Sequence, residues 1–322
     1  MNHRLSSTLL GLLPSAAFLM AAGLLAWSWR PELPDPIAVH FGPDGADGFG
    51  SLSGFLATML GIFGVLAIGA WLMAILLGRS AATRRLGVGF GVGMSVFGAA
   101  STLGTLAGAR GLTDAAQTPG VDGTLLVALT AGPLLGGLAA WAVPSDRPDP
   151  AAGTVQGPRL DLGAQERAVW SQRVTSTVGL WIGCGTTLLM AGLSVAFRTP
   201  ALLMIATLLG VLLASMMIFR VTVDGTGLHL RSALGWPRAD VPGEEITAVE
   251  VTEVRAFRDF GGWGVRVGRN GSVGYVLRDG EGIRVSRTGG RDLVVTVPDA
   301  ETGAALLATL AERAQDSGRR TV

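Results

Sequence analysis

The chain has 322 residues, of which 49% are apolar and 15% are charged, and 25 basic against 24 acidic residues leave a net charge of +1. Soluble domains carry charge at about a quarter of their positions, so this composition indicates a membrane protein. A net charge near zero gives no long-range attraction to phosphate, and we expect no nucleic-acid partner. The single cysteine, Cys184, excludes an intrachain disulfide and any multi-cysteine zinc site, and the complete absence of lysine excludes lysine chemistry.

Six segments without charged side chains are long enough to cross a bilayer, which needs roughly 20 apolar residues. The first is too long for a signal-peptide core and has no clear cleavage site after it, so we expect a retained anchor rather than a signal peptide. The predicted fold begins with an α-helical polytopic bundle, in which a four-helix region (1–143) and a two-helix region (174–219) are separated by a linker. The predicted membrane-spanning helices are 8–28, 55–77, 86–108, 124–143, 175–196 and 200–219.

Arginines are concentrated in every second loop, which predicts the orientation because short cytoplasmic loops carry the excess of positive charge. The opposite loops contain only Arg30, Arg110 and Arg198. We therefore expect a protein of the bacterial cytoplasmic membrane with both termini in the cytoplasm and the loop 30–53 outside. The arginines on the predicted cytoplasmic side are Arg4, Arg79, Arg84, Arg85, Arg147, Arg159, Arg167 and Arg173.

The segment 144–173 is predicted to be a cytoplasmic linker between the fourth and fifth spans. It begins with a stretch rich in Pro, Asp and Gly that cannot sustain a helix. It ends at Gln165–Arg173, which we predict to be a short interfacial helix with Trp170 at the level of the lipid headgroups.

Residues 220–322 carry 14 arginines and 14 acids and predict a cytoplasmic domain. Asp224-Gly225, Asp279-Gly280 and Gly289-Gly290 are hairpin-type turns, and Asp299 is placed to cap a final helix with an apolar stripe at Ala304, Leu307, Leu310 and Ala311. Seven strands and one helix predict a small β-barrel with a C-terminal helix. The predicted strands are 220–223, 228–232, 246–254, 264–267, 274–277, 283–287 and 293–297.

This order of elements resembles the bacterial pleckstrin-homology-like domain, through Val221–Leu228, Gly261–Arg266 and Val294–Ala300. The resemblance implies a domain that binds a cytoplasmic protein partner, or membrane lipid through a basic open end. Arg255, Arg258, Arg266 and Arg269 surround Phe257, Phe260 and Trp263, a basic and aromatic patch suited to lipid or a partner. The alternative is that these arginines are solvated strand ends and Trp263 packs inside the barrel.

The external loop contains three prolines in its first half and two Asp-Gly-type turns, and is therefore expected to be compact. It resembles the signature loop of the SdpI-like membrane protein family, although relatives often have Asn at Gly42 and Lys at Leu52. For the immunity protein after which the family is named, the resemblance implies protection against a secreted toxin and capture of a transcriptional repressor at the membrane. The signature positions are Leu33, Pro34, Ile37, His40, Phe41, Gly45, Asp47 and Gly48, with Asp44 between them.

His40, Asp44 and Asp47 offer an imidazole and two carboxylates, which is a weak candidate for a divalent metal site or a zinc-assisted hydrolase. The alternative is that both acids form Asx turns while His40 donates to a backbone carbonyl. One histidine and two turn acids favour the alternative, and we predict no cofactor and no metal.

No catalytic motif is present, His229 has no nucleophile near it in sequence, and no span contains an ionisable residue of a transport pathway. We therefore predict a non-enzymatic membrane protein that acts in sensing, signalling or toxin immunity through its external loop. The alternative is a permease or lipid-handling protein with a pathway lined by Ser, Thr and backbone carbonyls. Glycine pairs four residues apart predict close helix packing or a homo-oligomer, and they are Gly87/Gly91, Gly89/Gly93, Gly132/Gly136 and Gly179/Gly183.

Overall fold

The structure is a computed structural model that describes residues 3–42, 45–163 and 166–320. The chain forms two compact units. The first contains the residues up to Ser145 together with Leu188–Thr207, and the second contains Asp146–Thr187 together with the residues from Leu208 onward.

All six charge-free segments are helical. Among the described residues, five helical segments are long and apolar enough to cross a membrane, as expected of a multi-pass protein. The sixth, α7, is equally apolar but has 17 residues, because β4 begins at Ile218, inside the predicted span. The helices are α1 (His3–Ser7) joined by a π-helical turn to α2 (Leu13–Ser28), α3 (Leu52–Leu76), α4 (Ala81–Ala109), α5 (Asp122–Ala142), α6 (Thr177–Phe197) and α7 (Pro200–Met216).

Helix α4 packs between α3 and α5 through two sets of glycines. On one face, a Cβ added at Gly87 would lie 2.7 Å from the carbonyl oxygen of Ala70 on α3. On the other face, a Cβ added at Gly136 of α5 would lie 2.5 Å from the carbonyl oxygen of Gly89. Small residues thus let the backbones approach closely within one chain, as the glycine spacing predicts.

Two arginines near the start of α4 donate hydrogen bonds to the C-terminal ends of the neighbouring helices α3 and α5. Arg84 donates to the carbonyl oxygens of Gly78 (3.0 Å) and Pro144 (3.2 Å), and Arg85 donates to that of Val143 (3.2 Å). These carbonyls follow the last turns of α3 and α5, where a helix lacks backbone donors and carries partial negative charge. The arginines therefore stabilise the helix ends as well as marking one side of the bundle.

The second unit contains two open β-sheets rather than the predicted closed barrel. The four-stranded sheet has the order β3-β4-β5-β6 and the five-stranded sheet the order β7-β10-β11-β9-β8, with β9 and β11 parallel. The barrel prediction is wrong because a tight turn at Gly243–Glu245 separates β6 from β7, and β7 pairs with β10 instead. The strands are β3 (Trp170–Thr175), β4 (Ile218–Asp224), β5 (Gly227–Ser232), β6 (Arg238–Pro242), β7 (Ile246–Val254), β8 (Gly264–Val267), β9 (Val273–Val276), β10 (Gly280–Arg287) and β11 (Leu293–Thr296).

Seven of these strands match the predicted ones within a few residues, and β3 and β6 are additional. The turns at Asp224-Gly225 and Gly289-Gly290 connect antiparallel neighbours, as predicted. The prediction for Asp279-Gly280 is wrong, because β9 and β10 are not paired and β11 lies between them.

The predicted interfacial helix is also wrong over the described residues 166–173, since Trp170–Thr175 forms β3 and pairs antiparallel with β4, while Gln165 lies outside the described residues. Its side chains alternate, so that Trp170 and Val174 are buried while Ser171 and Arg173 are exposed. Trp170 lies in the core rather than at the headgroup level, and its indole N–H donates to Asp299 Oδ2 at 3.2 Å.

The preceding linker packs onto the second unit. The backbone N–H of Gln156 donates to Thr247 O, and that of Val249 donates to Gln156 O, which adds a short bridge to the edge of β7. The folded C-terminal unit therefore starts near Asp146 rather than at residue 220.

The C-terminal helix α9 (Ala300–Arg320) covers the core as predicted. Its stripe of Ala304, Leu307, Leu310 and Ala311 is buried. Asp299 caps its first turn and accepts a 2.6 Å hydrogen bond from the Thr302 hydroxyl. A short helix, α8 (Ala256–Phe260), lies between β7 and β8.

Candidate functional site

The loop 30–53 is a β-hairpin rather than an irregular turn segment. Strands β1 (Ile37–Gly42) and β2 (Gly45–Gly50) pair antiparallel. Ile37 is only 1% exposed and packs with Leu56 and Leu106 of the helices, and Pro34 is buried before it. The apolar beginning of β1 thus anchors the hairpin on the helices.

Beyond this anchor, the hairpin presents a histidine and a carboxylate to solvent. His40 Nδ1 lies 2.5 Å from Asp47 Oδ1, and the two side chains are 73% and 54% exposed. Gly48 lies opposite His40 in the ladder, and a Cβ there would approach the Cβ of His40 to 2.7 Å. A Cβ at Gly42 would lie 2.5 Å from Asp47 Oδ2. Both glycines therefore leave the space in which the His40–Asp47 pair forms.

The remaining signature residues have different roles. Phe41 is half-buried, and Gly45 has a φ of 122°, a backbone conformation that suits only glycine. Asp44 lies outside the described residues, so its predicted Asx turn and metal role stay predictions.

The described part of the chain contains no group of three or more His, Cys, Asp or Glu side chains placed to hold a metal ion. His40 and Asp47 are thus two adjacent potential ligands without a described third. The alternative prediction for His40 is wrong, because its ring nitrogen pairs with the Asp47 side chain rather than with a backbone carbonyl.

An ion pair next to the hairpin was not predicted from the sequence. Arg110 Nη2 lies 2.7 Å from Glu32 Oε2, and the guanidinium stacks 4.7 Å from the ring centre of Trp29. These residues are 78 positions apart in sequence, so only the fold brings them together. Near them is an open cleft of about 330 Å³, lined by residues that include Pro34, Phe49 and Asp114.

The predicted basic and aromatic patch is partly assembled. Phe257 and Trp263 contact edge to face with ring centres 4.8 Å apart, which joins α8 to the segment before β8. Trp263 is partly buried against a small apolar cluster. Arg266 donates to the carbonyl oxygen of Trp263 at 2.9 Å, while Arg255, Arg258 and Arg269 extend into solvent.

His229 belongs to a hydrogen-bonded network that was not predicted. Thr226 Oγ1 lies 2.7 Å from its Nε2, and Asp240 Oδ1 lies 2.7 Å from its Nδ1. Hydroxyl, imidazole and carboxylate in this order resemble a catalytic triad in connectivity. However, the Thr226 hydroxyl donates its single hydrogen to Asp224 at 2.6 Å. His229 is therefore not placed to activate a nucleophile, and the network braces the β4–β5 turn against β6.

The electrostatics of this network agree with a structural role. Burial raises the pKa of Asp224, but hydrogen bonds from Thr226 and the His229 charge outweigh it and hold the pKa below the usual 3.8. Burial also raises the pKa of Asp240, and hydrogen bonds from Arg231 and His229 again lower it overall. Both carboxylates thus favour the ionised form that accepts hydrogen bonds.

The chain matches no protein-family model, no curated protein and no solved structure.

Proposed function

We propose that the chain is a non-enzymatic protein of the bacterial cytoplasmic membrane that senses, signals or confers toxin immunity through its external hairpin. The observation that carries the proposal is the exposed His40–Asp47 pair on a hairpin anchored by buried Ile37. A pre-formed hydrogen-bonded pair on an anchored hairpin can recognise a ligand with little loss of conformational entropy. The resemblance to the SdpI-like family supports the same role for the loop.

The proposal includes six membrane crossings with both termini in the cytoplasm. Strand β3 precedes α6 and β4 follows α7, and the two strands pair from Trp170↔Val223 to Thr175↔Ile218. This pairing supports six crossings, because the start of α6 and the end of α7 must then lie on the same side of the membrane. The arginine-rich side, which includes Arg84 and Arg85, is expected to be cytoplasmic.

In this arrangement the C-terminal unit lies in the cytoplasm, where we propose that it binds a protein partner. The resemblance of residues 220–322 to pleckstrin-homology-like domains supports an interaction role. A homo-oligomer stays a prediction, and residues such as Gly87 and Gly136 already face neighbouring helices of the same chain.

The hairpin proposal is tested by removing the His40–Asp47 pair without disturbing the anchor of the hairpin. His40→Ala and Asp47→Asn are each expected to lower survival at least tenfold in a deletion strain exposed to secreted toxins, or to abolish an envelope-stress response. Membrane abundance should stay within twofold of wild type, because both side chains are exposed. The matched control is Asp35→Asn, which removes the same charge from an exposed position of the same loop.

Wild-type behaviour of both His40→Ala and Asp47→Asn in these assays would overturn the proposed role of the hairpin. A loss of function in Asp35→Asn equal to that in Asp47→Asn would also overturn it, because the effect would then be one of loop charge in general.

A permease or lipid-handling function is the second candidate. It is favoured by the hydroxyls of Ser15, Ser101 and Thr102, which are buried in the helical region and have no hydrogen-bond partner within the described residues. Reconstituted vesicles distinguish the two functions, since solute or lipid flux that depends on Ser15 and Thr102 would support transport.

A further inference from the structure

Four arginines form one continuous row across the four-stranded sheet. Arg173 of β3 lies opposite Arg220 of β4, Arg220 opposite Arg231 of β5, and Arg231 opposite Arg238 of β6. Neighbouring strands are about 4.8 Å apart, so the row extends over about 14 Å. All four side chains are on the same face of the sheet, because directly opposed residues in antiparallel strands share a face.

This face is the one turned away from the core. Along the strands the row has buried neighbours at Val174, Phe219 and Leu230, while Arg173, Arg220 and Arg238 are exposed. Like charges that face each other across strands repel and destabilise the sheet. A ligand with negative charge would therefore be bound and would relieve this repulsion.

Only one arginine of the row has an acidic partner in the part of the chain that the structure describes. Arg231 Nη2 lies 2.8 Å from Asp240 Oδ1, whereas Arg173, Arg220 and Arg238 have no hydrogen-bond or ion-pair partner there. Asp224 and Asp240 lie farther along the strands, beyond the row. The face is thus basic at one end and acidic at the other.

The basic end is the end at which α6 begins and α7 ends. Arg173 is four residues before the first residue of α6, and Arg220 is four residues after the last residue of α7, or about 13 Å of extended chain. The backbone N–H of Ser176 donates to Met217 O at 2.9 Å, so the two helix bases are adjacent. The row therefore lies at the depth expected for phosphate groups at the surface of the bilayer that α6 enters.

Two large apolar side chains extend from the same end. Leu234 and Trp236 are 57% and 66% exposed in the turn between β5 and β6. The backbone N–H of Ala233 in this turn donates to Ile218 O at 3.0 Å, next to the end of α7. Tryptophan is enriched at membrane interfaces, where its ring contacts lipid and its N–H stays hydrated.

We propose that the row of Arg173, Arg220, Arg231 and Arg238, with Leu234 and Trp236, is a docking surface for anionic phospholipids of the leaflet at which α6 begins and α7 ends. Guanidinium groups bind phosphate oxygens through paired N–H donors. The surface differs from the basic patch at Arg255, Arg258 and Arg266, and it does not depend on the role of the external hairpin. It holds the basic end of the four-stranded sheet against the membrane surface next to the helix bases.

The test is a lipid titration of the full-length chain. Delipidated protein in neutral detergent is titrated with phosphatidylglycerol or phosphatidylcholine, and bound lipid is counted by native mass spectrometry. The wild type is expected to bind phosphatidylglycerol in preference to phosphatidylcholine. Each arginine near an anionic surface contributes about a fivefold increase in affinity, so Arg173→Gln, Arg220→Gln and Arg238→Gln combined should weaken phosphatidylglycerol binding at least tenfold.

Matched variants separate this surface from general basicity. Arg167→Gln, Arg278→Gln and Arg319→Gln combined remove the same charge from exposed positions of the same unit, outside both basic surfaces, and should bind phosphatidylglycerol as the wild type does. Replacing Arg173, Arg220 and Arg238 by Lys should retain most of the binding, because the charge remains. Trp236→Ala should weaken binding less than the triple Gln variant.

Equal phosphatidylglycerol affinity of the wild type and the triple Gln variant at positions 173, 220 and 238 would overturn the proposal. So would a larger loss in the control variant, or binding of inorganic phosphate as tight as that of phosphatidylglycerol, which would assign the row to a soluble anion. Circular dichroism of each variant shows that the fold is retained, and the Lys variant keeps the test decisive if the Gln variant unfolds.

Discussion

Tyr275 is the only tyrosine in the chain, and it lies where the two sheets of the second unit meet. Its ring is 2% exposed and packs edge to face on Phe219 of β4, with ring centres 5.2 Å apart. Burial, with a smaller contribution from the Asp240 charge, raises the pKa of Tyr275 to about 12. A single buried tyrosine therefore reports directly on the integrity of this core.

We expect the phenolate absorbance near 295 nm to appear with a midpoint near pH 12 in the folded chain and about pH 10 after unfolding. Between these pH values Tyr275 keeps its proton in the folded state and loses it in the unfolded state. Its contribution to the free energy of unfolding is therefore fully present below about pH 10 and is lost as the pH rises towards 12. A rapid pH jump on the full-length chain measures the native midpoint. Tyr275→Phe should remove the absorbance step, and a native midpoint near 10 would contradict the burial.

The signature residues of the hairpin could be predicted from the sequence, but their contact partners could not. The Pro and Asp-Gly turns located a compact loop around His40, yet the 2.5 Å pair with Asp47 depends on the strand register. The Arg110–Glu32 pair depends on two helices meeting, and no local pattern encodes it. Short-range turn chemistry is readable in a sequence, whereas contacts set by tertiary packing are not.

Helix α4 owes its central position to glycines on two of its faces. Gly87 contacts α3, and Gly136 of α5 contacts Gly89, and in both cases the atom nearest to an added Cβ is a backbone oxygen of the partner helix. Backbone atoms cannot rotate away as a side chain can, so an added methyl group must push the helices apart. The packing of these elements is therefore sensitive to single methyl groups.

Gly136→Ala is expected to destabilise the full-length chain by about 1–3 kcal/mol, the usual cost of overpacking, and to lower the melting temperature in detergent by several degrees. The matched control is Gly137→Ala, one residue along the same helix, where an added Cβ has no atom within 4 Å. The control should melt at the wild-type temperature or above it, since alanine favours helix. Equal melting temperatures of the two variants would contradict the packing.

Elements with a strong local signal were predicted well, and elements defined by distant partners were not. The six helices follow from long charge-free segments, and β7 and β10 follow from β-branched residues between turns. Strand β3 was predicted as a helix because its partner β4 follows only after α6 and α7. The barrel was predicted because strand count alone does not show where one sheet ends.

For the whole molecule, the C-terminal unit extends backwards to include the segment before α6. Buried Glu245 accepts from Arg287 at 2.5 Å and lies 3.3 Å from Arg291, and the Asp149 backbone N–H donates to the same carboxylate at 3.3 Å. Arg313 of α9 donates to the carbonyl oxygens of Leu162 and Gly163. The segment after Asp146 is therefore part of the folded unit and not a free tether.

The proposed six crossings predict the sides on which two exposed glycines lie. In a Cys184→Ala background, Gly120→Cys should react with a membrane-impermeant maleimide in intact bacterial cells, and Gly225→Cys should react only after permeabilisation. Both sites tolerate a side chain, because an added Cβ has no atom within 4 Å at either position. Labelling of Gly225→Cys in intact cells would show that α7 does not return across the membrane.

The pairing of β3 with β4 also has a mechanical consequence. The two strands are continuous with the bases of α6 and α7, so an axial displacement of one helix against the other must slide one strand along its partner. A slip of one residue would turn Trp170 and Val174 outwards and bring Arg173 into the core, at a cost that forbids it. The β3–β4 pairing thus blocks sliding of α6 against α7. Because β5 and β6 belong to the same sheet, a tilt of the two helices would also move these strands.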